Sequence, residues 1–218
     1  MTKKVNNQHE DFATETTSKI EKFFAKHGMK VVIALAVVLV AVGGLFIWKY
    51  IHGKKEVAAS EAIWQKQANV SVATPDHQLI IDGFLSVAKN HEGTKAGNIA
   101  NHYLGIQYLR IGDFANANKY LKAYEPVEGS VYAEIINAQN IGLQGDVAVE
   151  LGNYAEAAQL FSKAVATSSN PFTAPYYLYK QALALEATGD VEGAKACYKT
   201  IVEKYPESVE YVEAENRI

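Results

Sequence analysis

Residues 152–164 read GNYAEAAQLFSKA, and this spacing of a turn glycine, small residues and an aromatic residue decides the fold. Counting from Gly152, alanines stand five and twelve positions later and an aromatic residue stands nine positions later. Two further copies of the pattern flank this one. Their turn glycine, alanine and large apolar residue are Gly112, Ala117 and Leu121 before it, and Gly189, Ala194 and Tyr198 after it. Recurrence at a period of tens of residues indicates a structure built from repeated units.

Each copy predicts two helices joined by a tight turn. The turn of Gly followed by Asp or Asn ends one helix and opens the next. Seven positions before each glycine stands a small residue (Gly105, Gly145 or Ala182) that lets the paired helices approach closely. A single pair cannot bury its apolar face alone, so stacked pairs share one continuous core. We therefore predict an all-α fold, an α-solenoid of about three helix hairpins.

This pattern resembles the tetratricopeptide repeat, a helix–turn–helix unit of about 34 residues. The resemblance covers residues 95–206, and the turn glycines are separated by 40 and 37 residues. We assign the extra residues to loops around 126–129 and 168–171. Residues 208–218 are predicted to form a final polar helix that caps the stack.

A second decisive stretch is VVIALAVVLVAVGGLFIW, residues 31–48, which contains no charged side chain. As a helix it is about 27 Å long, close to the roughly 30 Å hydrocarbon thickness of a bilayer. A cleaved signal peptide has a shorter apolar region and a shorter preceding segment, and a soluble core helix is seldom apolar on every face. The stretch therefore predicts a single transmembrane helix.

These features divide the chain into four predicted parts. Residues 1–17 form a polar, disordered tail, and residues 18–52 form the transmembrane helix with its flanks, beginning at a capping box formed by Ser18 and Glu21. Residues 53–94 form a pair of introductory helices, the second of them starting near Pro75. Residues 95–218 form the tetratricopeptide-repeat domain.

Charge is unevenly distributed along the chain. Residues 1–56 hold nine Lys and Arg against five Asp and Glu, and residues 57–218 hold twelve against nineteen. An acidic domain repels phosphate backbones, so nucleic acid is not an expected partner. Four lysines in the fifteen residues before the apolar stretch and three after it favour a cytoplasmic N-terminus.

Catalytic and metal-binding patterns do not appear in the sequence. The six histidines have no metal-ligand spacing, and neither a phosphate-binding glycine loop nor a nucleophile elbow is present. The lone Cys197 cannot form an intrachain disulfide and is expected to be a buried helix residue. We therefore expect no cofactor, no metal and no enzymatic activity.

A solenoid of helix pairs offers a concave surface lined by the first helix of each pair. The residues predicted to bind a peptide on this surface are Ile106, Leu109, Val149, Tyr176, Tyr179 and Leu183. Equivalent positions in the repeats add Ile99, His102, Gln139, Asp146 and Glu186 to the same surface. This mixed aliphatic and tyrosine surface suits an extended apolar peptide. With Lys180 as the one nearby cation, it does not suit an acidic C-terminus. The alternative is that these residues pack against the introductory helices or a neighbouring protomer.

The whole layout is similar to the bacterial YfgM-like proteins, ancillary subunits of the SecYEG translocon. The likeness consists of a basic tail, one early span, introductory helices and repeats that end on Lys204, Tyr205, Pro206 and Ser208. It implies an inner-membrane protein whose domain faces the periplasm and assists export or chaperoning, with translocon subunits, a periplasmic chaperone or exported clients as partners. The alternatives are a self-associating envelope scaffold, hence a homo-oligomer, and an adaptor that faces the cytoplasm.

Overall fold

The computed structural model describes residues 2–67, 70 and 76–218. Within these ranges the chain is helical, with turns and short connections and no strand. The helices are α1 (Thr2–Gln67), α2 (His77–Asn90), α3 (Lys95–Arg110), α4 (Phe114–Ala123), α5 (Val131–Glu150), α6 (Tyr154–Thr167), α7 (Ala174–Thr188), α8 (Val191–Lys204) and α9 (Tyr211–Glu215). The predicted all-α fold class is confirmed. The chain divides into two compact units, Met1–Lys54 and Lys55–Ile218.

The first unit consists of the N-terminal part of α1. Among the described residues, one helical segment, Ala25–Gln67, is long and apolar enough to cross a membrane, with a mean hydropathy of 2.9 in its most apolar window. The side chains of that window are not buried by other parts of the chain. The apolar helix that residues 31–48 predicted is therefore present.

The helix begins earlier than the sequence suggested. We predicted a disordered tail over residues 1–17 and a helix start at Ser18, but α1 begins at Thr2. Residues 2–17 contain neither proline nor glycine. Once a helix has formed, each added residue gains a backbone hydrogen bond at little further entropic penalty, so nothing in this stretch stops the helix.

The second unit is a stack of helix hairpins. The end of α1 shares a buried cluster with α2 and α3. The pairs α3–α4, α5–α6 and α7–α8 follow, each packed on its neighbours in sequence. The first introductory helix is thus the end of α1 itself. Asp76 caps α2 by accepting a hydrogen bond from the Leu79 amide at 3.1 Å. The predicted start signal at Thr74 and Pro75 lies outside the described residues.

The turns within the three repeats have the geometry that their sequence predicts. Gly112, Gly152 and Gly189 have φ angles of 77°, 76° and 83°, in the left-handed region that favours glycine. Asp113 and Asp190 each accept a hydrogen bond from a backbone amide three residues later, at 3.0 and 2.9 Å. The turns at Gly112 and Gly189 therefore end one helix and cap the next, whereas Asn153 after Gly152 makes no side-chain capping hydrogen bond.

Close helix approach explains the small residues. A Cβ atom built on Gly145 would lie 2.6 Å from Cε1 of Phe161, and one built on Gly105 would collide with Leu121. Phe161 and Leu121 are at most 1% exposed, so the second helix of each pair fills the space that the glycine leaves. The same position in the third pair, Ala182, is fully buried.

The end of the stack differs from the prediction in length. We expected a capping helix over residues 208–218, but α9 covers Tyr211–Glu215 only. Ala214 is fully buried in the cluster that includes Tyr198 and Ile201. Arg217 holds the segment by donating to Glu186 at 3.0 Å. The helix α9 therefore covers only part of the stack end that the predicted helix over residues 208–218 would cover.

Candidate protein-binding groove

The groove is formed where the first helices of three successive pairs lie side by side. It has a volume of about 480 Å³. Its lining residues are Leu109 from α3, Asp146, Val149 and Glu150 from α5, Tyr154 and Phe161 from α6, and Lys180, Leu183 and Ala184 from α7. The walls are mainly apolar, and charged groups are placed at two points.

Half of the predicted peptide-binding residues meet in this groove. Leu109, Val149 and Leu183 line it together, although they come from three different helices. They share a surface because all three stand in the C-terminal half of the first helix of their pair. Leu183 is 38% exposed, so this wall is accessible from outside.

The other three predicted residues do not line the groove. Tyr176 is exposed, and its ring lies 4.7 Å from Nζ of Lys180, so it flanks the groove through that lysine. Tyr179 packs instead against the ring of Tyr198, with a centroid separation of 5.8 Å. Ile106 is half-buried.

The short C-terminal helix accounts for the position of Tyr179. The guanidinium of Arg217 lies 6.0 Å from the Tyr179 ring. Glu186, which was also expected on the concave surface, accepts hydrogen bonds from the Tyr198 hydroxyl at 3.1 Å and from Arg217. This end of the concave surface is therefore occupied by the chain itself.

The N-terminal end of the surface is occupied as well. Ile99 packs against the core cluster formed by α1, α2 and α3. His102, another expected surface residue, is 4% exposed and lies between α3 and α5. Its two ring nitrogens lie 3.2 Å from Gln139 and 3.2 Å from Asn140. Ile99 therefore packs with the introductory helices, as the alternative expected, whereas His102 packs against α5 within the repeats.

Burial also sets the protonation of His102. It lowers the pKa of His102, and the hydrogen bond with Gln139 offsets part of this effect. A buried imidazole that is held by two amide side chains is most stable in its neutral form. His102 thus contributes to the packing of α3 on α5 and is not available to a ligand.

An ion pair forms part of the groove surface. Nζ of Lys180 donates to Asp146 at 2.6 Å, and both side chains are about one quarter exposed, at 24% and 25%. Burial raises the pKa of Asp146, and Lys180 offsets part of that rise. Burial acts to lower the pKa of Lys180, but the hydrogen bond with Asp146 outweighs it, so the pKa is raised. The two charges neutralise each other across α5 and α7.

Lys180 also lies over two aromatic rings, 5.6 Å from the centroid of Phe161 and 4.7 Å from that of Tyr176. Such cation–π contacts hold an ammonium group in place. With its charge already satisfied, Lys180 is a poor anchor for a ligand carboxylate. This agrees with the expectation that an acidic C-terminus is not the ligand.

Sequence reasoning missed several lining residues. Glu150 follows Asp146 and Val149 at helical spacing, so the period of α5 could have placed it in the groove. Tyr154 and Phe161 belong to α6, the second helix of their pair, so a mapping of first helices did not include them. The folded structure brings both residues into the groove lining.

The groove lining offers apolar side chains, one ion pair and one further carboxylate. The described part of the chain holds no group of three or more His, Cys, Asp or Glu residues placed to bind a metal ion. The one cysteine, Cys197, is buried as expected. Burial raises the pKa of its thiol to about 11, so the thiol is protonated at neutral pH and is not an activated nucleophile.

Comparison with known proteins agrees with the hairpin stack. Two crystal structures of MamA have a similar fold. One has a TM-score of 0.53 at 19% identity and covers 66% of this chain and 75% of its own. The other has a TM-score of 0.56 at 17% identity and covers 76% of this chain and 80% of its own. No curated protein sequence matches the chain.

The family follows from the sequence itself. Residues 21–214 match the sequence profile of the tetratricopeptide repeat-like domain. The matched range includes the apolar stretch at residues 31–48 as well as all three repeats. Because the match extends over most of the chain, this protein belongs to the tetratricopeptide repeat-like domain family.

Proposed function

We propose that this protein is a membrane-anchored scaffold that binds other proteins through the groove between α3, α5 and α7. The observation that carries the proposal is the meeting of Leu109, Val149 and Leu183 around an open volume of about 480 Å³. Ligand pockets of this size, mainly apolar with a few fixed polar groups, are common binding sites. The scaffold has no enzymatic role.

The chemistry of the groove favours an apolar or aromatic side chain on the bound segment. Burial of such a group against these aliphatic walls is favourable at about 25 cal/mol per Å² of apolar surface. The paired charges of Asp146 and Lys180 require no counter-charge from the ligand. Glu150, exposed at the groove edge, favours a basic residue next to the apolar one.

The apolar part of α1 supplies the anchor. It is long and apolar enough to cross a bilayer, and the family match includes it. The lysine distribution supports a cytoplasmic N-terminus. Together with the resemblance to YfgM-like proteins, it supports a repeat domain on the periplasmic side of a bacterial inner membrane. The resemblance to YfgM-like proteins supports a role in export or chaperoning beside the SecYEG translocon.

Site-specific photo-crosslinking tests the groove. A photoreactive amino acid at Leu183 in the full-length chain, in native membranes, should capture translocon subunits, a periplasmic chaperone or exported clients. The matched control is the same amino acid at Lys195, an exposed position on α8. Equal capture at both positions, or none at Leu183, would contradict groove binding.

The orientation has its own test. Alkaline phosphatase fused after Ile218 should be active, because this enzyme matures outside the cytoplasm. Activity of a fluorescent reporter that folds only in the cytoplasm would reverse the topology and favour a cytoplasmic adaptor. Release of the full-length chain by alkaline carbonate would refute the anchor.

A further inference from the structure

The outer face of the last turns of α1 carries a tryptophan that the groove described above does not use. Ala59 and Ile63 are buried in the cluster shared with α2 and α3. On the other side of the helix, Trp64 is 73% exposed and Val57 is 61% exposed. End helices of solenoids usually present a polar outer face to water. An exposed tryptophan beside a valine therefore has the composition of an interface.

A recess lies directly next to this tryptophan. Between α1 and α3 is a groove of about 430 Å³, whose lining includes Val57, Ser60 and Ile63 from α1 and Ala96 and Ile99 from α3. Trp64 follows Ile63 in sequence and stands one helical turn after Ser60. The backbone amide of Lys95 donates to the carboxylate of Glu56 at 3.2 Å, which fixes α3 against α1 beside the groove.

We propose that this face is the contact between two copies of the chain, with Trp64 of each copy inserted into the α1–α3 groove of the other. A two-fold symmetric contact requires one surface that carries both a protruding group and the recess that receives it. Trp64 and the groove satisfy this requirement because they are neighbours on one helix. A tryptophan side chain buries about 150–250 Å² when it is enclosed.

The membrane anchor sets the relative orientation of the two copies, so this step rests on the proposed function. Two chains anchored in one membrane have the same orientation, so a symmetric dimer has parallel α1 helices. Trp64 of one copy is then level with the groove of the other. Val57, Ser60, Trp64 and Gln67 are separated by three, four and three residues, the spacing of facing positions in parallel helix pairs.

Confinement also favours a second copy over an unrelated partner. Tethering raises the effective concentration of one binding surface near another without any new contact. Every anchored chain presents the same Trp64 face to its neighbours in the membrane. A modest interface is therefore sufficient, and no additional protein is needed to cover the tryptophan.

Sedimentation equilibrium of the full-length chain in detergent tests the contact. The wild-type chain should dimerise, and Trp64→Ala should raise the dissociation constant at least about tenfold, as expected for a central aromatic residue. The matched control is Phe172→Ala, since Phe172 is 86% exposed and lies in the connection before α7. It should leave the constant unchanged. A wild-type chain that stays monomeric even at a high protein-to-detergent ratio, where chains share micelles as they share a membrane, or a dimer that Trp64→Ala does not weaken, would overturn the proposal.

Cysteine crosslinking in native membranes gives a second readout. In a Cys197→Ser background, Ser60→Cys should form an intermolecular disulfide, because parallel helices bring position 60 close to its symmetry mate. Ser162→Cys, an exposed position on α6, should not. Equal crosslinking at both positions would refute the interface.

The two proposals fail in distinguishable ways. Loss of capture at Leu183 with an intact Trp64-dependent dimer refutes groove binding alone. Extraction of the chain by carbonate, with a Trp64-dependent dimer still present in detergent, refutes the anchor alone. A chain that stays in the membrane and captures partners but does not dimerise refutes the inference drawn here.

Discussion

Replacing Gly145 by alanine tests the close helix approach on which the repeat fold depends. The new Cβ would lie 2.6, 2.9 and 3.0 Å from three ring carbons of Phe161, whereas carbon atoms pack best at about 3.5–4.0 Å. The ring or the helix must therefore move by about 1 Å. Phe161 is 1% exposed and packs in a cluster with Ala157, Ala164 and Tyr177, so it has little room to retreat.

The magnitude follows from two opposing terms. Alanine favours a helix over glycine by about 1 kcal/mol, and forcing an extra carbon into a packed core costs about 1–3 kcal/mol. Gly83→Ala isolates the first term, since a Cβ there meets only the flexible side chain of Lys66. We expect the free energy of unfolding of Gly145→Ala to lie about 1–3 kcal/mol below that of Gly83→Ala.

Urea unfolding of the full-length chain in detergent, followed by circular dichroism, measures both variants. Adding Phe161→Leu to Gly145→Ala removes the ring atoms that collide, so the two substitutions should couple favourably by about 0.5–3 kcal/mol. If Gly145→Ala stabilises the protein as much as Gly83→Ala does, the small residue is not required for helix contact and the reasoning is wrong.

Three further predictions concern the buried polar groups. Because burial holds the pKa of His102 below its ordinary value of 6.5, the unfolded chain binds more protons than the folded chain below that pH. Stability should therefore fall as pH decreases below about 6.5, with a slope of at most about 1.4 kcal/mol per pH unit from this residue. In His102→Asn that contribution should vanish, and an unchanged slope in urea unfolding would contradict the assignment. Lys180→Met should lower the free energy of unfolding by about 1–3 kcal/mol, because it leaves Asp146 partly buried and unpaired. The control Lys199→Met breaks an exposed pair and should change the free energy of unfolding by less than about 1 kcal/mol. Equal effects would show that the Asp146 pair is no more important than a surface pair. The thiol of Cys197 should react with a disulfide reagent far more slowly in the native chain than in urea at pH 8, since it is buried and its pKa is raised to about 11; rapid native labelling would refute its burial.

The sequence predicted the repeat architecture well, for a local reason. A turn glycine with positive φ, a capping Asp and a small residue seven positions earlier each act over a few residues. Their spacing is therefore visible along the chain. The structure confirms the turns at Gly112, Gly152 and Gly189 and the close contact at Gly145.

The site was predicted less completely because it depends on packing between distant helices. The mapping of repeated helices placed Leu109, Val149 and Leu183 on one surface, and the structure brings these three residues to one groove. The same mapping failed at His102 and Tyr179. A neighbouring helix or the C-terminal segment covers those positions, and sequence spacing carries no information about that cover.

The sequence alone determined that this chain is all-helical, that it repeats a helix pair and that one early segment is apolar enough to span a membrane. Each of these properties follows from local residue spacing and composition. Only the tertiary structure decided which part of the concave surface is open, because exposure is set by neighbours far apart in sequence. The pairing of Asp146 with Lys180 and the exposure of Trp64 beside a recess follow from the same packing.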